Sequence, residues 1–416
     1  FEYAWKSVLV PSFKTPFSYL FYSIKNAKLA KEGQVEIAEV GIKALDERTL
    51  RVEFEFPTPY FLELAANPLY SPINRAIDQS CPDWAIRSGD SYICNGPFHL
   101  VERDSFNRYI LNRNPLYWDV NNVQLDQLIL HKVTSSEALE MFNADEGHWE
   151  SRSTRSLKTF FTEKGLEQVY CHPFSRVFWL SFNCSRFPFR HAKLRKAFAC
   201  AINRKDIVEI LPEGIIPAKT PLPFQHSFYQ EVENYEENGA NARILFEEAL
   251  REIGLTKNHF PPLILSCTAS AFREKLMGMI KRQWQQVLGV YCRIESLSWQ
   301  TFFEKMTQGD YQIGGITWGP LIDDPIYTLD VFKSSKEPVN FSKWQNVDYR
   351  SILDGAQQEL DPKLRNYHLA RAERILMEEV PIVPIYYEKE NFIQKFHLVE
   401  ADKESPSKPL AIYLQE

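Results

Sequence analysis

Residues 262–294, PLILSCTASAFREKLMGMIKRQWQQVLGVYCRI, switch between two hydrophobic periods within one short stretch. Residues 262–267 form an apolar run of strand length, and residues 272–288 space their apolar side chains as an amphipathic helix does. Gly289 is placed to end that helix, and residues 290–294 form a second apolar run. The stretch therefore predicts a strand, a helix and a strand joined by short loops, which is the pattern of an α/β domain.

The same alternation extends in both directions and predicts an α/β domain over residues 173–390. The predicted strands cover residues 177–182, 311–316 and 382–387. The predicted helices cover residues 193–201, 206–211, 240–253, 299–307 and 362–379.

Residues 1–172 are richer in strands and loops. The patterns predict a hairpin of residues 35–40 and 50–56, paired strands at 96–101 and 109–111, a strand at 125–133, and a helix that Ser135 or Ser136 caps and that runs to Phe142. The sequence contains no internal repeat and no flexible linker. Domains joined in this way suggest lobes that hinge about each other.

Composition narrows the class of protein. The 416 residues are 44% hydrophobic and 25% charged, which is typical of a globular chain of about two to three domains. The net charge of −6 and a pI near 6.0 provide no basic field for nucleic acid, so no nucleic-acid partner is expected. No apolar run is long enough to span a bilayer. The chain starts at Phe1 without a signal sequence, and we expect it to be a processed or truncated product.

The sequence offers no catalytic or metal-binding motif. None of the 7 cysteines forms a CxxC pair, and HExxH, GxSxG and phosphate-binding GxxxxGK patterns do not occur. No metal and no cofactor are therefore expected, and binding is better supported than catalysis. Cys81 and Cys94 flank a polar loop, and they either bridge in an oxidising compartment or remain free thiols. Gly314 and Gly315 favour a close backbone approach in a strand over a phosphate site.

Two groups of polar residues are candidates for ligand contacts. Asp323 and Asp324 follow Trp318, and they are either turn or cap residues before Pro325 or anions that receive a cationic ligand group beside an aromatic wall. The second group is the basic, hydroxyl-rich stretch of residues 151–156, which is either a solvated connector or a carboxylate-binding loop.

Arg273 is a third candidate. It opens a predicted helix, where the macrodipole also favours anions. The alternative interpretation is a surface ion pair with a neighbouring acid such as Glu274.

Several motifs in one order give the chain a specific resemblance. They are Asn95-Gly96-Pro97-Phe98, Arg113-Asn114-Pro115-Leu116-Tyr117-Trp118, residues 188–198 with residues 201–204, the spacing of Trp299, Gly309 and Trp318, and residues 380–386. With these motifs the chain resembles the family 5 extracytoplasmic solute-binding proteins, in particular those members that bind oligopeptides for ABC importers.

The resemblance implies an α/β fold of the periplasmic-binding-protein-like two-lobe architecture (type II, cluster C) with a partial extra small domain. Residues 1–68 would be the remainder of that small domain, residues 69–172 and 391–416 would form lobe I, and residues 173–390 would form lobe II. Family members begin earlier, so lobe I would be incomplete at its N-terminal side and this chain would bind weakly.

The resemblance also implies a function. Such a protein captures short peptides by backbone contacts between two hinged lobes and delivers them to a permease in the inner membrane. It would be a monomer without enzymatic activity, periplasmic or anchored on the extracytoplasmic side. The alternatives are binding of murein (cell-wall) peptides for recycling, the same fold with a nickel complex or haem as ligand, or a ligand-sensing domain of a regulator.

Site residues follow from the same resemblance. Trp299 and Trp318 match aromatic pocket positions, and Leu321 stands where the family has an aspartate for the peptide amino terminus. Asp323 and Asp324 are the nearest acidic replacements. Arg273 takes the place of a histidine that contacts a carboxylate. Arg152, Thr154 and Arg155 belong to the loop aligned with backbone contacts. These departures predict that the protein depends less on a free amine of its ligand and more on acidic ligand groups.

Overall fold

The computed structural model describes residues 1–15, 17–89, 92–105, 108–153, 167–209, 211, 215–222, 237–337, 339–395, 398–400 and 412–414. The helices are α1 (Glu2–Leu9), α2 (Ala27–Lys31), α3 (Phe61–Ala65), α4 (Arg75–Ser80), α5 (Ser135–Asn143), α6 (Ala192–Cys200), α7 (Arg204–Glu209), α8 (Gly239–Glu252), α9 (Ala271–Leu288), α10 (Trp299–Gln308), α11 (Pro325–Asp330), α12 (Val347–Gln358) and α13 (Pro362–Glu379).

The strands are β1 (Ile42–Ala44), β2 (Leu50–Val52), β3 (Phe98–Arg103), β4 (Arg108–Arg113), β5 (Gln127–His131), β6 (Trp149–Ser153), β7 (Glu167–Phe182), β8 (Ile216–Pro217), β9 (Leu263–Thr268), β10 (Cys292–Leu297), β11 (Ile313–Trp318), β12 (Ile382–Lys395), β13 (Leu398–Glu400) and β14 (Ile412–Leu414). They form one large mixed sheet and three small antiparallel ones, β1–β2, β3–β4–β5 and β13–β14.

The large sheet has the order β10-β9-β11-β7-β12-β6, with β8 paired to β12. Strands β9, β10 and β11 are parallel, and β7 runs antiparallel to both β11 and β12. The connections through α9 and α10 confirm the α/β alternation that the sequence predicts. Ser270 caps α9 by accepting from the Arg273 amide, and Gly289 ends the helix at φ +70°, which is a conformation that glycine adopts without strain.

Side chains alternate between the two faces of this sheet, and each face has its own core. On the first face Phe178, Leu180 and Tyr386 pack against α6, α8 and α9. On the second face Val177, Trp179 and Tyr387 pack against α10 to α13. A third core lies among residues 1–70, and Tyr327 belongs to it while Trp318 packs against it.

Strands β7 and β12 are much longer than their neighbours. Their antiparallel pairing runs from Ile382 opposite Ser181 to Lys395 opposite Glu167. The part beyond Arg176 and Glu388 has no β11 partner, because β11 ends at Trp318 opposite Val177. These two strands therefore continue beyond the edge of the sheet at which β11 stops.

Some predicted elements need correction. Residues 37–39 form a 3₁₀ turn, and the first hairpin strand lies at Ile42–Ala44 rather than in residues 35–40. Thr134 caps α5 instead of Ser135 or Ser136, because Glu137 completes a capping box with Thr134. Strand β11 ends two residues later than predicted, at Trp318.

The cysteine bridge does not form in the structure. Cys81 and Cys94 are both free thiols. The Cys81 thiol contacts the Asp83 carboxylate at 3.3 Å, and the Cys94 thiol contacts the Phe98 carbonyl at 3.2 Å. Within the described ranges, no helix has the length and apolar character needed to cross a membrane.

Candidate functional site

Three parallel strands end at one edge of the large sheet. Strand β9 ends at Thr268, β10 at Leu297 and β11 at Trp318, and the helices α9 and α10 begin directly after β9 and β10. We call this edge the carboxyl edge. In open α/β sheets, ligands bind outside the carboxyl ends of the strands, so this edge is the first place to look for a site.

Trp318 is the last residue of β11 and lies in a stack of aromatic rings. Its ring stacks on Trp179 with centroids 6.0 Å apart and on Tyr327 at 5.7 Å, and its indole N–H donates to Thr328 Oγ1 at 3.2 Å. Tyr327 stacks in turn on Tyr19, and their hydroxyl oxygens are 2.7 Å apart. Two ring contacts and one hydrogen bond thus fix the position of the Trp318 ring, and Tyr19 holds its neighbour Tyr327 in turn.

Trp299 lies at the same edge but is open to solvent. It is the first residue of α10 and is 59% exposed, and its ring tilts against Phe303 at 5.5 Å. Helix α10 packs on the second face of the sheet, the face that also carries Trp318. The structure therefore brings the two predicted tryptophans to one edge, where Trp299 offers an uncovered aromatic surface.

Arg273 lies at the carboxyl edge on the opposite face of the sheet. Its guanidinium donates to Thr317 Oγ1 at 2.6 Å, to Glu388 Oε1 at 3.1 Å and to the Tyr386 hydroxyl. It also lies 4.4 Å from the centre of the Phe178 ring. The Arg273 side chain is only 17% exposed, so these contacts fix its orientation.

Arg273 does not form the ion pair with Glu274 that the sequence suggests. The Glu274 carboxylate accepts a hydrogen bond from Ser296 at 2.7 Å, whereas Arg273 pairs with Glu388 of β12. Glu388 also accepts from Thr317 Oγ1 at 2.9 Å and lies 4.0 Å from the Arg176 guanidinium.

We call this set the Arg273 cluster: Arg273, Arg176, Thr317, Tyr386 and Glu388. Burial is the main cause that raises the pKa of the Tyr386 hydroxyl, which stays protonated at neutral pH. The cluster holds two guanidinium groups and one carboxylate beside the carboxyl edge.

Asp324 is engaged within the protein. It caps α11 by accepting from the Ile326 amide at 2.9 Å. Both of its oxygens accept from Arg365, at 3.0 and 2.8 Å, and the two side chains are 13% and 11% exposed. These contacts correspond to the cap interpretation of Asp324. A ligand role for it stays a prediction that would require this pair to open.

The other predicted residues differ in how the structure places them. Asp323 is exposed, and Leu321 is 39% exposed with its carbonyl accepting from Asn67 at 2.8 Å. Arg152 lies on β6, which pairs with the part of β12 beyond the carboxyl edge. Thr154 and Arg155 lie outside the described residues.

The glycine pair of β11 serves close packing. A Cβ on Gly315 would lie 2.7 Å from Phe178 Cζ, and one on Gly314 would lie 2.7 Å from Met306 Cε. The interpretation as a close approach is therefore confirmed. Among the residues that the structure describes, no group of three His, Cys, Asp or Glu side chains could hold a metal ion.

Sequence reasoning missed Trp179, Tyr327, Arg176 and Glu388. Arg176 comes directly before the apolar run of residues 177–182, and Glu388 comes directly after that of residues 382–387. A charged residue next to a buried apolar run is the signal that could have found Arg176 and Glu388.

These features define a class: an α/β binding protein with aromatic and charged side chains at the carboxyl edge of its sheet. The chain belongs to the bacterial extracellular solute-binding proteins of family 5, whose model, described as "family 5 Middle", matches residues 1–340. The resemblance of the sequence to this family is thereby confirmed.

Known proteins of this kind are similar over nearly the whole chain. The oligopeptide-binding protein OppA of Bacillus subtilis is 31% identical over an alignment of 406 residues, which covers 96% of this chain and 74% of that protein. The structure of Listeria monocytogenes OppA bound to peptide superposes with a TM-score of 0.80 at 25% identity, covering 100% of this chain and 83% of that one.

A third similar structure is the murein tripeptide binding protein MppA of Escherichia coli. It has a TM-score of 0.86 at 24% identity and covers 100% of this chain and 83% of that chain. The likeness to these structures confirms the predicted α/β, periplasmic-binding-protein-like fold.

Proposed function

We propose that this protein is the extracytoplasmic peptide-binding subunit of an ABC importer, which captures short peptides at the carboxyl edge and delivers them to a membrane permease. The relatives named for oligopeptides support the ligand class. The observation that carries the proposal in this chain is the placement of Trp299 and Trp318 at the same edge of the sheet, where the first is exposed and the second lies in an aromatic stack.

The mode of capture follows from the chemistry of peptides. Main-chain amides and carbonyls are common to all peptides, so hydrogen bonds to them give affinity without sequence preference. Hydrated pockets accept varied side chains because water completes the remaining hydrogen bonds. Aromatic surfaces such as that of Trp299 add apolar contact at little conformational cost.

We assign the division of the chain as the sequence suggests it. Residues 1–68 belong to a small domain, residues 69–172 and 391–416 to lobe I, and residues 173–390 to lobe II. Strands β7 and β12 continue as a pair beyond Arg176 and Glu388, where β11 has ended, and two paired strands that cross between lobes suit a hinge. Closure of the lobes would enclose the peptide.

The remaining features of the proposal concern partners and place. The protein acts as a monomer on the extracytoplasmic side, either periplasmic or anchored to the membrane, and the permease lies in the membrane that it faces. It uses no cofactor and releases the peptide uncleaved.

Calorimetric titration with tetra-alanine tests the role of the edge. We expect Trp299→Ala to weaken binding about tenfold, because an aromatic contact contributes roughly 1–2 kcal/mol. Trp118→Ala is the matched control, since Trp118 is 84% exposed and lies between β4 and β5, which belong to a different sheet. Equal affinity of both variants and the wild type would contradict a site at this edge.

Murein peptide is the second candidate ligand, because a murein tripeptide binding protein superposes on the whole chain. Such a peptide carries extra carboxylates, and its tight binding would require that Arg273 receive one of them in place of its present partner Glu388. Titration with a murein tripeptide beside tetra-alanine distinguishes the candidates. Binding of the murein peptide at least tenfold more tightly than tetra-alanine would favour the alternative, and equal or weaker binding would exclude it.

A further inference from the structure

Glu388 occupies an unusual place on β12. It follows the buried residue Tyr387 and lies where the pairing with β7 changes register, between Glu388 and Glu390. Bulges of this kind redirect a side chain and occur often beside functional sites. The Glu388 side chain is 23% exposed and turns toward Arg273 rather than to open solvent.

The carboxylate of Glu388 accepts from two donors and has a second guanidinium nearby. Arg273 Nη2 lies 3.1 Å away, Thr317 Oγ1 2.9 Å and Arg176 Nη1 4.0 Å. Charge-assisted hydrogen bonds of this type are among the strong ones, and a half-buried position reduces their screening by water. The face of Arg273 that a ligand carboxylate would need is therefore already occupied by a carboxylate of the protein.

We infer that Glu388 is a specificity-determining residue: it acts as an internal counter-ion that keeps ligand carboxylates away from Arg273. This inference rests on the proposed function. A ligand carboxylate approaching Arg273 would have to displace Glu388 or lie beside a like charge, and both cost binding free energy. Uncharged main chain meets no such penalty. The Arg273 cluster thus opposes the preference for acidic groups that Arg273 alone suggests.

The test uses pairs of alanine tetrapeptides that differ in one carboxylate. One pair has a free or an amidated C-terminus, and two further pairs are amides with Glu or Gln at the second or third position. Affinities are measured by calorimetry for the wild type, Glu388→Gln, and Glu388→Gln combined with Arg273→Gln. The glutamine side chain keeps the shape of glutamate and an acceptor oxygen, so the fold is preserved.

We expect the wild type to bind the acidic member of each pair no more tightly than its neutral partner. In Glu388→Gln, at least one acidic peptide gains about tenfold while its neutral partner is unchanged, and the double variant loses the gain. Glu295→Gln is the matched control, because Glu295 is 20% exposed and pairs with Lys305 instead of Arg273. We expect this control variant to leave the ratio of acidic to neutral peptide affinity unchanged in every pair.

The outcomes distinguish an error in the role of Glu388 from an error in the proposed function. If Glu388→Gln binds the neutral peptides as the wild type does but shows no gain for any acidic peptide, the role of Glu388 is wrong and the proposed function stands. If no variant, including the wild type, binds any peptide, the proposed function falls together with this inference. Glu388→Thr, which removes the charge with a shorter side chain, serves as the second variant and should reproduce the gain.

Discussion

Asp324 shows at the residue scale how one carboxylate can serve two structural purposes. It caps α11 and accepts two hydrogen bonds from Arg365, which in turn lies over the Tyr60 ring at 5.6 Å. Bidentate pairs between little-exposed side chains are strong, and removal of one charge leaves the other partner uncompensated.

We predict that Asp324→Asn lowers the free energy of unfolding by about 2–3 kcal/mol, since Asn retains the cap but not the charge. Denaturant unfolding measures the change, with the exposed Asp348→Asn in α12 as the control. Tetra-alanine affinity should stay within about threefold of the wild type, because this carboxylate is already engaged. A loss of peptide affinity without a loss of stability would show instead that Asp324 meets the ligand.

Burial raises the pKa of several cysteine thiols, and we expect this to lower their reactivity. Burial raises the pKa of Cys184, Cys200 and Cys267 to about 11 and that of Cys292 to about 12. The thiolate is the reactive form, and at pH 8 a pKa of about 11 leaves roughly one thiol in a thousand ionised.

We therefore predict that iodoacetamide at pH 8 modifies Cys94 in the native protein much faster than these four cysteines. Peptide mapping by mass spectrometry measures the rates, and all five should react alike once the chain is unfolded. Raising the pH increases the thiolate fraction of the buried groups, so their rates should rise toward pH 10. Modification of Cys200 or Cys292 at the rate of Cys94 would contradict their burial.

At the scale of elements, the contact between β11 and the two layers of helices is the tightest constraint around the site. Gly315 faces Met277 of α9 and Phe178 of β7, and there is no room for a Cβ between them. We predict that Gly315→Ala lowers the free energy of unfolding by about 1–3 kcal/mol through overpacking.

Gly278→Ala in α9 is the matched control for this prediction. Its Cβ would meet no atom within 4 Å, and alanine favours a helix interior over glycine by about 1 kcal/mol. Thermal and denaturant unfolding should therefore show opposite signs for the two substitutions. A stable Gly315→Ala protein would mean that the helices can move apart at β11, and the close packing would not be needed.

Local sequence signals predict most helices and strands of residues 173–390, because each carries its own period and its own stop. Gly289 ends α9 and Gly309 ends α10 at positive φ, and both positions can be found without tertiary information. Helices α11 and α12 escape prediction, although Asp324 and Asn346 cap them. Helix α11 has only 6 residues, whereas α12 has 12 and buries Tyr349, Ile352, Leu353 and Ala356 at helical spacing, which is a signal that the sequence does carry.

The candidate site can be predicted only in part, because some of its contacts join residues that are far apart in the sequence. Trp299 and Trp318 follow from the family resemblance, and the structure places them at the start of α10 and at the end of β11. The partner of Arg273 could not be found, because Glu388 is 115 residues away and only the packing of α9 on the sheet brings them together. Pairings across a sheet depend on the fold, whereas the neighbour Glu274 is what local reasoning suggests.

At the scale of the whole molecule, residues 1–70 and the large sheet share an aromatic connection. Tyr19 contacts Tyr327, Tyr327 stacks on Trp318, and Trp318 stacks on Trp179 in β7. The edge that we propose for the peptide is thus supported by the small N-terminal unit as well as by the sheet. The two long strands β7 and β12 leave from the same edge. The proposed peptide contacts, the aromatic stack that supports them and the proposed hinge in β7 and β12 would therefore lie close together.

Photo-cross-linking with a tetrapeptide that carries one benzophenone side chain tests this account most directly, with mass spectrometry to map the sites and weigh the adduct. We predict a single peptide of intact mass attached within residues 268–274, 297–303 or 317–324, with competition by excess tetra-alanine. Attachment only at distant surfaces such as α8, or recovery of a cleaved peptide, would contradict the claim that this edge holds peptides without cutting them.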